Sequence, residues 1–201
     1  MDVAARFGLD VPAVAEAYLA GGARFIQIRA KSVSSSAFLK LSEEVVSRAR
    51  EAGATVIVND RADIARLAGA DGVHLGQDDL EPAAARRILG GEAIIGLSTH
   101  SIEQVRLACR QPIDYVALGP IFRTSTKETG DRAVGTELVG QARTAMSLAG
   151  LDTPIVAIGG ITLDRARSVI QAGATSVAVI SDLLAAGSPE ARVRDYLTAL
   201  R

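Results

Sequence analysis

The chain has 201 residues, of which 48% are hydrophobic and 22% are charged, with a formal net charge of −1. This composition excludes global disorder and a broad basic surface for nucleic acid. The single cysteine permits no internal disulfide, and no apolar run reaches the ~18–20 residues of a membrane span. We therefore expect one domain over residues 1–201, in a cytoplasmic protein with no nucleic-acid or membrane partner.

Helical and strand-like patterns alternate along the chain. Helical spacing, capping residues and terminal glycines predict helices at 11–19, 37–52, 62–69, 82–89, 102–110, 136–148, 163–172, a short one from 182, and 189–200. Short apolar runs predict strands at 24–28, 55–58, 72–75, 93–97, 114–118, 154–158 and 176–180. Strands joined by helical crossovers are parallel, so the alternation indicates an α/β fold with a parallel sheet.

A closed barrel of this kind needs an eighth strand, and residues 1–10 have no convincing strand pattern. We predict a TIM-type (β/α)8 barrel that lacks its first strand at the N-terminus. An open, doubly wound sheet is the alternative. The barrel is favoured because the loops after the last two strands have the composition of the phosphate sites found there in such barrels.

Polar and apolar residues alternate where the first predicted strand ends. Gln27, Arg29 and Lys31 would share one face if the strand continued that far. Two cations and an amide are costly to bury unless an anion meets them, and Arg29 and Lys31 could grip a pyrophosphate. The alternative is that Arg29 and Lys31 lie in a solvated loop.

Acidic residues follow the next two strands. Asn59 and Asp60 follow one strand, and Asp78 and Asp79 follow the other. Parallel neighbours bring their carboxyl ends to the same edge, so Asp60 and Asp79 should approach each other. Two carboxylates suit Mg²⁺, with water and a substrate phosphate completing its coordination. Alternatively, these residues only cap the helices that follow them.

Three other side chains have simpler interpretations. His74 lies within a predicted strand and is expected to be a core or barrel-lining residue. His100 follows a strand, where a loop or cap role is commoner than catalysis. Cys109 lies on a predicted helix with no partner motif, and we interpret it as structural.

The loop after the fifth predicted strand is long and contains Thr124, Ser125, Thr126 and Lys127. Loops of about 12–15 residues without regular structure are usually functional or disordered. Hydroxyl groups beside a lysine suit phosphate binding and closure over a substrate. The alternative is a solvated excursion.

Glycines and a serine follow the last two strands. Gly159 and Gly160 precede a predicted helix, and Ser181 precedes another. Glycine lets the backbone approach a ligand closely, and a helix N-terminus offers free N–H groups to a phosphate. Plain turns and helix caps are the alternative.

Seven short motifs follow one another in the order found in one enzyme family, each at a strand end. They are QIRAK at 27–31, ND at 59–60, GVHLGQDD at 72–79, GLSTH at 96–100, GPIFRTSTK at 119–127, AIGGI at 157–161 and VIS at 179–181. From about residue 15 to its end, the chain resembles thiamine-phosphate synthase. That family joins 4-amino-2-methyl-5-(diphosphooxymethyl)pyrimidine to 4-methyl-5-(2-phosphoethyl)thiazole and releases pyrophosphate.

The resemblance implies a role for each matched position. Asp60 and Asp79 would bind Mg²⁺, and Asp78 would not. Ser98 would contact the pyrimidine. The pyrimidine diphosphate would be held by Gln27, Arg29, Lys31, Asn59 and Lys127. The thiazole phosphate would be held by Thr124, Thr126, Gly160, Ile180 and Ser181. Arg29, Lys31, Lys127 and Ser98 are the expected catalytic residues, and Ile28, Ala30 and Ser125 complete the expected substrate-binding set.

Two features depart from the family pattern. The first motif has Ala30 where the family usually has glutamate, and strand alternation points that residue away from Arg29 and Lys31. The missing strand would close the barrel beside Gln27, so we expect a truncated start, or reduced stability and activity.

The sequence pattern leaves two alternatives to this function. A sister family of thiazole tautomerases shares the barrel, but it lacks the second aspartate of GQDD and the T-x-T-K loop. A non-catalytic protein that binds a phosphate ligand is a further alternative. Many such barrels associate, so a homo-oligomer is possible, although no surface patch demonstrates one.

Overall fold

The computed structural model describes residues 9–124, 133–185 and 187–201. The strands are β1 (Phe25–Ile28), β2 (Thr55–Asn59), β3 (Gly72–Leu75), β4 (Ile94–Thr99), β5 (Tyr115–Leu118), β6 (Ile155–Ile158) and β7 (Ser176–Ala178). The helices are α1 (Val11–Ala20), α2 (Ser35–Glu51), α3 (Ala62–Ala68), α4 (Pro82–Leu89), α5 (Ile102–Ala108), α6 (Gly135–Leu148), α7 (Leu163–Gln171), α8 (Ser181–Ala185) and α9 (Pro189–Ala199). In the described part of the chain, no helix is both long and apolar enough to cross a membrane.

The strands form one parallel sheet in the order β1 to β7. Every neighbouring pair is parallel, so all carboxyl ends lie on the same side of the sheet. Within residues 9–124, 133–185 and 187–201, β1 and β7 each pair with a single neighbour. The described residues therefore form seven parallel strands, one fewer than a closed (β/α)8 barrel has, and the predicted fold is confirmed. We call the edges of β1 and β7 the open seam.

The main core lies between the sheet and the helices. Val58, Val73 and Ile95 alternate with residues of the opposite face and are fully buried. They pack in one cluster with apolar residues of the surrounding helices, such as Val45 and Val105. This layer fixes each strand against its own helix and so sets the height of the loops at the carboxyl ends.

The opposite face of the strands lines the barrel interior. Asn59, His74, Gly96 and Tyr115 stand in one row across β2 to β5. Gly96 is required in that row because a Cβ there would lie 2.0 Å from the Tyr115 ring. A glycine inside a strand often marks such a close approach. The row places polar groups directly below the carboxyl ends of the central strands.

The structure fixes where the first and the last strand end. β1 ends at Ile28, so the alternation expected for Arg29 and Lys31 does not continue as a strand. β7 ends at Ala178 rather than at residue 180, because β6, its partner, ends at Ile158, which pairs with Ala178. Arg29 and Lys31 therefore lie after the end of β1, and Val179 and Ile180 lie after the end of β7, at the carboxyl edge of the sheet.

Candidate active site

Asp60 lies at the carboxyl end of β2 in a backbone conformation that residues other than glycine rarely adopt. Its φ angle is +64°, and its backbone N–H donates to the carbonyl of His74 at 2.7 Å. Non-glycine residues in this region are uncommon and cluster at functional sites. The bond to β3 holds Asp60 at the junction of β2 and β3.

Asp60 and Asp79 are neighbours, as the sequence predicts. Burial raises the pKa of the Asp60 carboxyl, and the adjacent Asp79 carboxyl raises it further. Lys31 opposes this shift, since its Nζ lies 3.1 Å from Oδ2 of Asp60. Two acids near one cation leave negative charge that is only partly compensated.

The two acids do not serve as helix caps. The cap of α3 is Arg61 and that of α4 is Glu81, and neither makes a side-chain capping bond. Oδ2 of Asp79 instead accepts from the backbone N–H of Gly76 at 2.7 Å, which fixes the carboxylate over the end of β3. The structure therefore removes the capping interpretation of Asp60 and Asp79.

The donor set of this pair suits a hard cation. Among the described residues, no group of three or more His, Cys, Asp or Glu could form a closed metal site. Mg²⁺ is usually held by one or two carboxylates together with water and substrate phosphates, whereas structural zinc needs four protein ligands. Asp60 and Asp79 therefore fit Mg²⁺ in chemistry and in number.

A hydrogen-bonded chain crosses the barrel interior below these acids. His74 is bonded through Nε2 to Oγ of Ser98 at 2.8 Å, and through Nδ1 to the hydroxyl of Tyr115 at 2.9 Å. Tyr115 in turn interacts with the side chain of Gln27. Burial raises the pKa of Tyr115, so the phenol stays neutral. This series of hydrogen bonds connects β1, β3, β4 and β5 and fixes Ser98. The Ser98 hydroxyl can still bond to a second partner.

The end of β1 separates its residues into two groups. Ile28 and Ala30 are buried in the hydrophobic core, so a ligand could reach only their backbone atoms. Arg29 is half-buried, Lys31 is exposed, and Gln27 lies on the interior face. Ala30 points away from Lys31, as expected, although it does so in a loop and not in a strand.

The loops after β5 and β6 are bonded to each other. The N–H groups of Ile121 and Phe122 donate to the carbonyls of Ile158 and Gly159 at 2.8 and 3.0 Å. Gly160 has φ +64°, and a Cβ there would lie 2.6 Å from the carbonyl oxygen of Arg123. These contacts bring Gly160 next to the segment that leads into Thr124.

The structure describes only some of the other residues that were predicted to bind the substrates. Thr124 is half-buried beside that contact, and Ile180 and Ser181 are exposed where α8 begins. Ser125, Thr126 and Lys127 lie outside the described residues. Asn59, expected to face the substrate, is buried at the end of β2, next to Asp60.

Sequence reasoning missed Tyr115 and Gln77. Tyr115 fills the space above Gly96 and stacks on the His74 ring, with 5.6 Å between ring centroids. Gln77 donates from its side-chain amide to the carbonyl of Ser98. The glycine within β4 was a usable signal for a large residue on a neighbouring strand. Gln77 had no comparable signal, because its partner is a backbone atom.

Comparisons with known proteins identify the family of the chain. The family model described as thiamine monophosphate synthase matches residues 3–183. Thiamine-phosphate synthase from Chlorobium luteolum is 43% identical over 182 residues, which is 90% of this chain and 84% of that protein. The protein of the same name from Koribacter versatilis is 44% identical over 186 residues, which is 92% of this chain and 84% of that protein.

A solved structure gives the same result for the fold. Thiamine phosphate pyrophosphorylase from Pyrococcus furiosus superposes with a TM-score of 0.86 at 30% identity, covering 95% of this chain and 89% of that chain. The sequence matches span most of the chain and include the strand ends at which the predicted site residues lie. The chain therefore belongs to the thiamine monophosphate synthase family of transferases.

Proposed function

We propose that this chain, as a thiamine-phosphate synthase, carries out its reaction at the carboxyl ends of β1 to β7 with Mg²⁺ held by Asp60 and Asp79. The substrates are the pyrimidine diphosphate and the thiazole phosphate named above, and the products are thiamine phosphate and pyrophosphate. The observation that supports this most is the pairing of Asp60 and Asp79 beside Lys31. The family match supplies the reaction.

The charges at the end of β1 and β2 suit a leaving diphosphate. Lys31 lies against Asp60 and is exposed enough to reach an incoming anion. Arg29 adds a guanidinium at the same edge, and Lys127 is the further cation predicted from sequence. Bound Mg²⁺ would neutralise part of the charge on the diphosphate as the C–O bond breaks.

The barrel interior suits the uncharged ring of the pyrimidine. Ser98 and Gln27 present a hydroxyl and an amide that are bonded to the His74–Tyr115 pair, and the amide of Asn59 lies at the end of β2. The electron-rich aminopyrimidine supports positive charge on its methylene carbon during cleavage. The thiazole nitrogen then attacks that carbon, and the pair of electrons in the C–O bond leaves with pyrophosphate. No protein nucleophile is needed.

The loops after β5, β6 and β7 suit the phosphate of the thiazole. Gly160 packs against Phe122 and Arg123, the residues that lead into Thr124, and lies three residues before Leu163, where α7 begins. The backbone N–H groups of a helix N-terminus favour an anion. Ser181 and Ile180, with Thr126 from the sequence, complete this proposed subsite.

A pyrophosphate-release assay with both substrates, with and without Mg²⁺, tests the proposal. We expect release to require both substrates and the metal. Asp79→Ala should lower kcat/KM by about 100-fold or more, since an electrostatic contact to developing charge contributes on this scale. Lys127→Ala should give a loss of similar size.

Asp78→Ala is the matched control. Asp78 precedes Asp79 directly, is exposed, and has the same charge. Its activity should stay within about twofold of the unmodified chain, as for most surface substitutions. Near-normal turnover by both Asp79→Ala and Lys127→Ala would refute the proposed site.

A further inference from the structure

One largely buried carboxylate connects the three C-terminal helices. Oδ2 of Asp182, in α8, accepts from Nε of Arg192 at 3.0 Å and from the hydroxyl of Tyr196 at 2.7 Å, and both partners lie in α9. The same oxygen accepts from the backbone N–H of Leu163, the first residue of α7, at 3.3 Å. The side chain of Asp182 is 16% exposed. A single oxygen atom thus joins α7, α8 and α9.

The bond to Leu163 takes the place of a local helix cap. Thr162 occupies the cap position of α7 but makes no side-chain capping bond. The first-turn N–H groups of a helix have no partner within the helix. Asp182, from another element, supplies a partner to the N–H of Leu163, and it therefore fixes the start of α7, three residues after Gly160.

Tyr196 reinforces the same position. Its hydroxyl lies 3.5 Å from the carbonyl of Ile161, in the loop before α7. Burial, followed by the bond to Asp182, raises the pKa of Tyr196, so the phenol remains a proton donor. The Arg192 guanidinium lies over the Tyr196 ring, 5.8 Å from its centroid. The partners of Asp182 are therefore held in place themselves.

Arg192 also removes an electrostatic conflict. A carboxylate beside a phosphate-binding loop would repel the anion, and the repulsion grows where water is excluded. Nη2 of Arg192 lies 2.9 Å from Asp182, and its side chain is 22% exposed. The pair is close to neutral as a unit, so Asp182 can fix the loops without weakening an anion site next to them.

The backbone alone holds this part of the sheet weakly. β7 has three residues, and within the described ranges it is hydrogen-bonded only to β6. The chain leaves the sheet after Ala178 and reaches Ser181 two residues after Val179. Asp182, next to Ser181, is therefore the side chain through which this loop is tied to the loop before α7.

We propose that Asp182 is a positioning residue that sets the separation between Gly160 and Ser181, and with it the affinity for the phosphate of the thiazole substrate. This inference rests on the proposed function, because it concerns the subsite assigned there to the thiazole phosphate. Asp182 touches neither substrate. It acts by holding Leu163 and, through Tyr196, Ile161, so that the two loops present their groups to the same anion.

The test measures each KM separately by pyrophosphate release and measures binding of the thiazole phosphate alone by calorimetry. Asp182→Ala should raise the KM for the thiazole phosphate about 10- to 100-fold, since a displacement near 1 Å has effects of this size. The KM for the pyrimidine diphosphate should stay within about twofold, because that substrate binds at the other strands. Asp182→Asn should restore part of the affinity, since its amide oxygen still accepts from Leu163 and Tyr196.

Asp195→Asn is the matched control. Asp195 lies in α9, is 56% exposed and is 3.9 Å from Nη1 of Arg192, and its substitution removes one negative charge, as that of Asp182 does. The KM values of the Asp195→Asn variant for both substrates should remain normal. The inference is overturned if Asp182→Ala only lowers the melting temperature, or if it changes both KM values equally, because either result indicates a purely structural role.

Calorimetry separates this inference from the proposed function. If the unmodified chain binds the thiazole phosphate in an Asp182-dependent way but releases no pyrophosphate, the proposed reaction fails and the positioning role stands. If turnover is normal and Asp182→Ala leaves thiazole-phosphate binding intact, the positioning role fails alone. Absence of both binding and turnover in the unmodified chain refutes both.

Discussion

The central strands and the open seam differ in how far they bury side chains that point into the barrel interior. His74, Ser98 and Tyr115 point into the barrel from β3 to β5 and are 4%, 3% and 6% exposed. Phe25 points to the same interior from β1, where the open seam lies, and is 51% exposed. The difference arises from the number of neighbouring strands, since β3 to β5 have one on each side.

The contrast shows which contacts fix the positions of the residues at the candidate site. Polar groups in the closed part, β2 to β5, are held by strand pairing and by bonds across the interior, such as His74 to Ser98. At the open seam, β7 pairs only with β6 among the described residues, and the loop after it is held by the side-chain bonds of Asp182. Buried polar groups that are fully bonded specify one arrangement, whereas edges need other support.

The largest expected effect comes from filling space in the closed part. A Cβ on Gly72 would lie 1.9 Å from the backbone oxygen of Ile94, which cannot move without separating β3 from β4. Gly72→Ala should cost about 4 kcal/mol or more, or prevent folding. Urea unfolding measures the cost, with Gly91→Ala as control because nothing lies within 4 Å of a Cβ there. Equal stability of the two variants would contradict the packing described for β3 and β4.

The second prediction compares truncations on the two sides. Ile57→Ala removes a fully buried side chain from the closed part and should cost about 3 kcal/mol. Phe25→Ala removes a larger side chain, but one that is half exposed at the open seam, and should cost less than about half as much. Urea unfolding of both variants at one pH measures the difference. A Phe25→Ala cost equal to that of Ile57→Ala would mean that the seam is covered in solution.

The third prediction concerns the negative charge of Asp60 and Asp79 in the closed part. Binding of Mg²⁺ to the native state at 100 times its Kd should add about 2.7 kcal/mol to the free energy of unfolding. Asp60→Asn should abolish this gain. Asparagine tolerates the left-handed conformation of residue 60, so the variant should still fold. Thermal melts with and without Mg²⁺ measure the gain, and Asp78→Asn, which should respond normally, is the control.

The same variant has a predicted pH dependence without metal. The pKa of Asp60 is raised in the folded chain, so the native state binds this proton more tightly than the unfolded state. The stability that this provides is present at low pH and is lost as the pH rises through the folded pKa. Asp60→Asn should therefore stabilise the metal-free chain at neutral pH, and the gain should shrink on acidification. An unchanged gain at all pH values would show that the pKa of Asp60 is not raised by folding.

The sequence determined the order of the elements and the strand ends that hold the site. Alternating patterns placed the parallel strands, and helix α4 was predicted with its observed bounds, Pro82–Leu89, because proline and glycine mark its ends. The pairing of Asp60 with Asp79 followed from parallel pairing alone, since adjacent parallel strands end at the same edge. The sequence also predicted seven strands and not eight, because residues 1–10 lack a strand pattern, and the described residues form seven.

Only the tertiary structure decided how these residues are used. Strand β7 ends at Ala178, two residues before its predicted end, because its partner β6 ends at Ile158, a limit that local patterns cannot reveal. The link from His74 to Tyr115, and that from Asp182 to Leu163, join residues 41 and 19 positions apart in the chain. Such contacts depend on the distance between strands and helices once they are packed. No periodicity encodes that distance, so these bonds were absent from the sequence prediction.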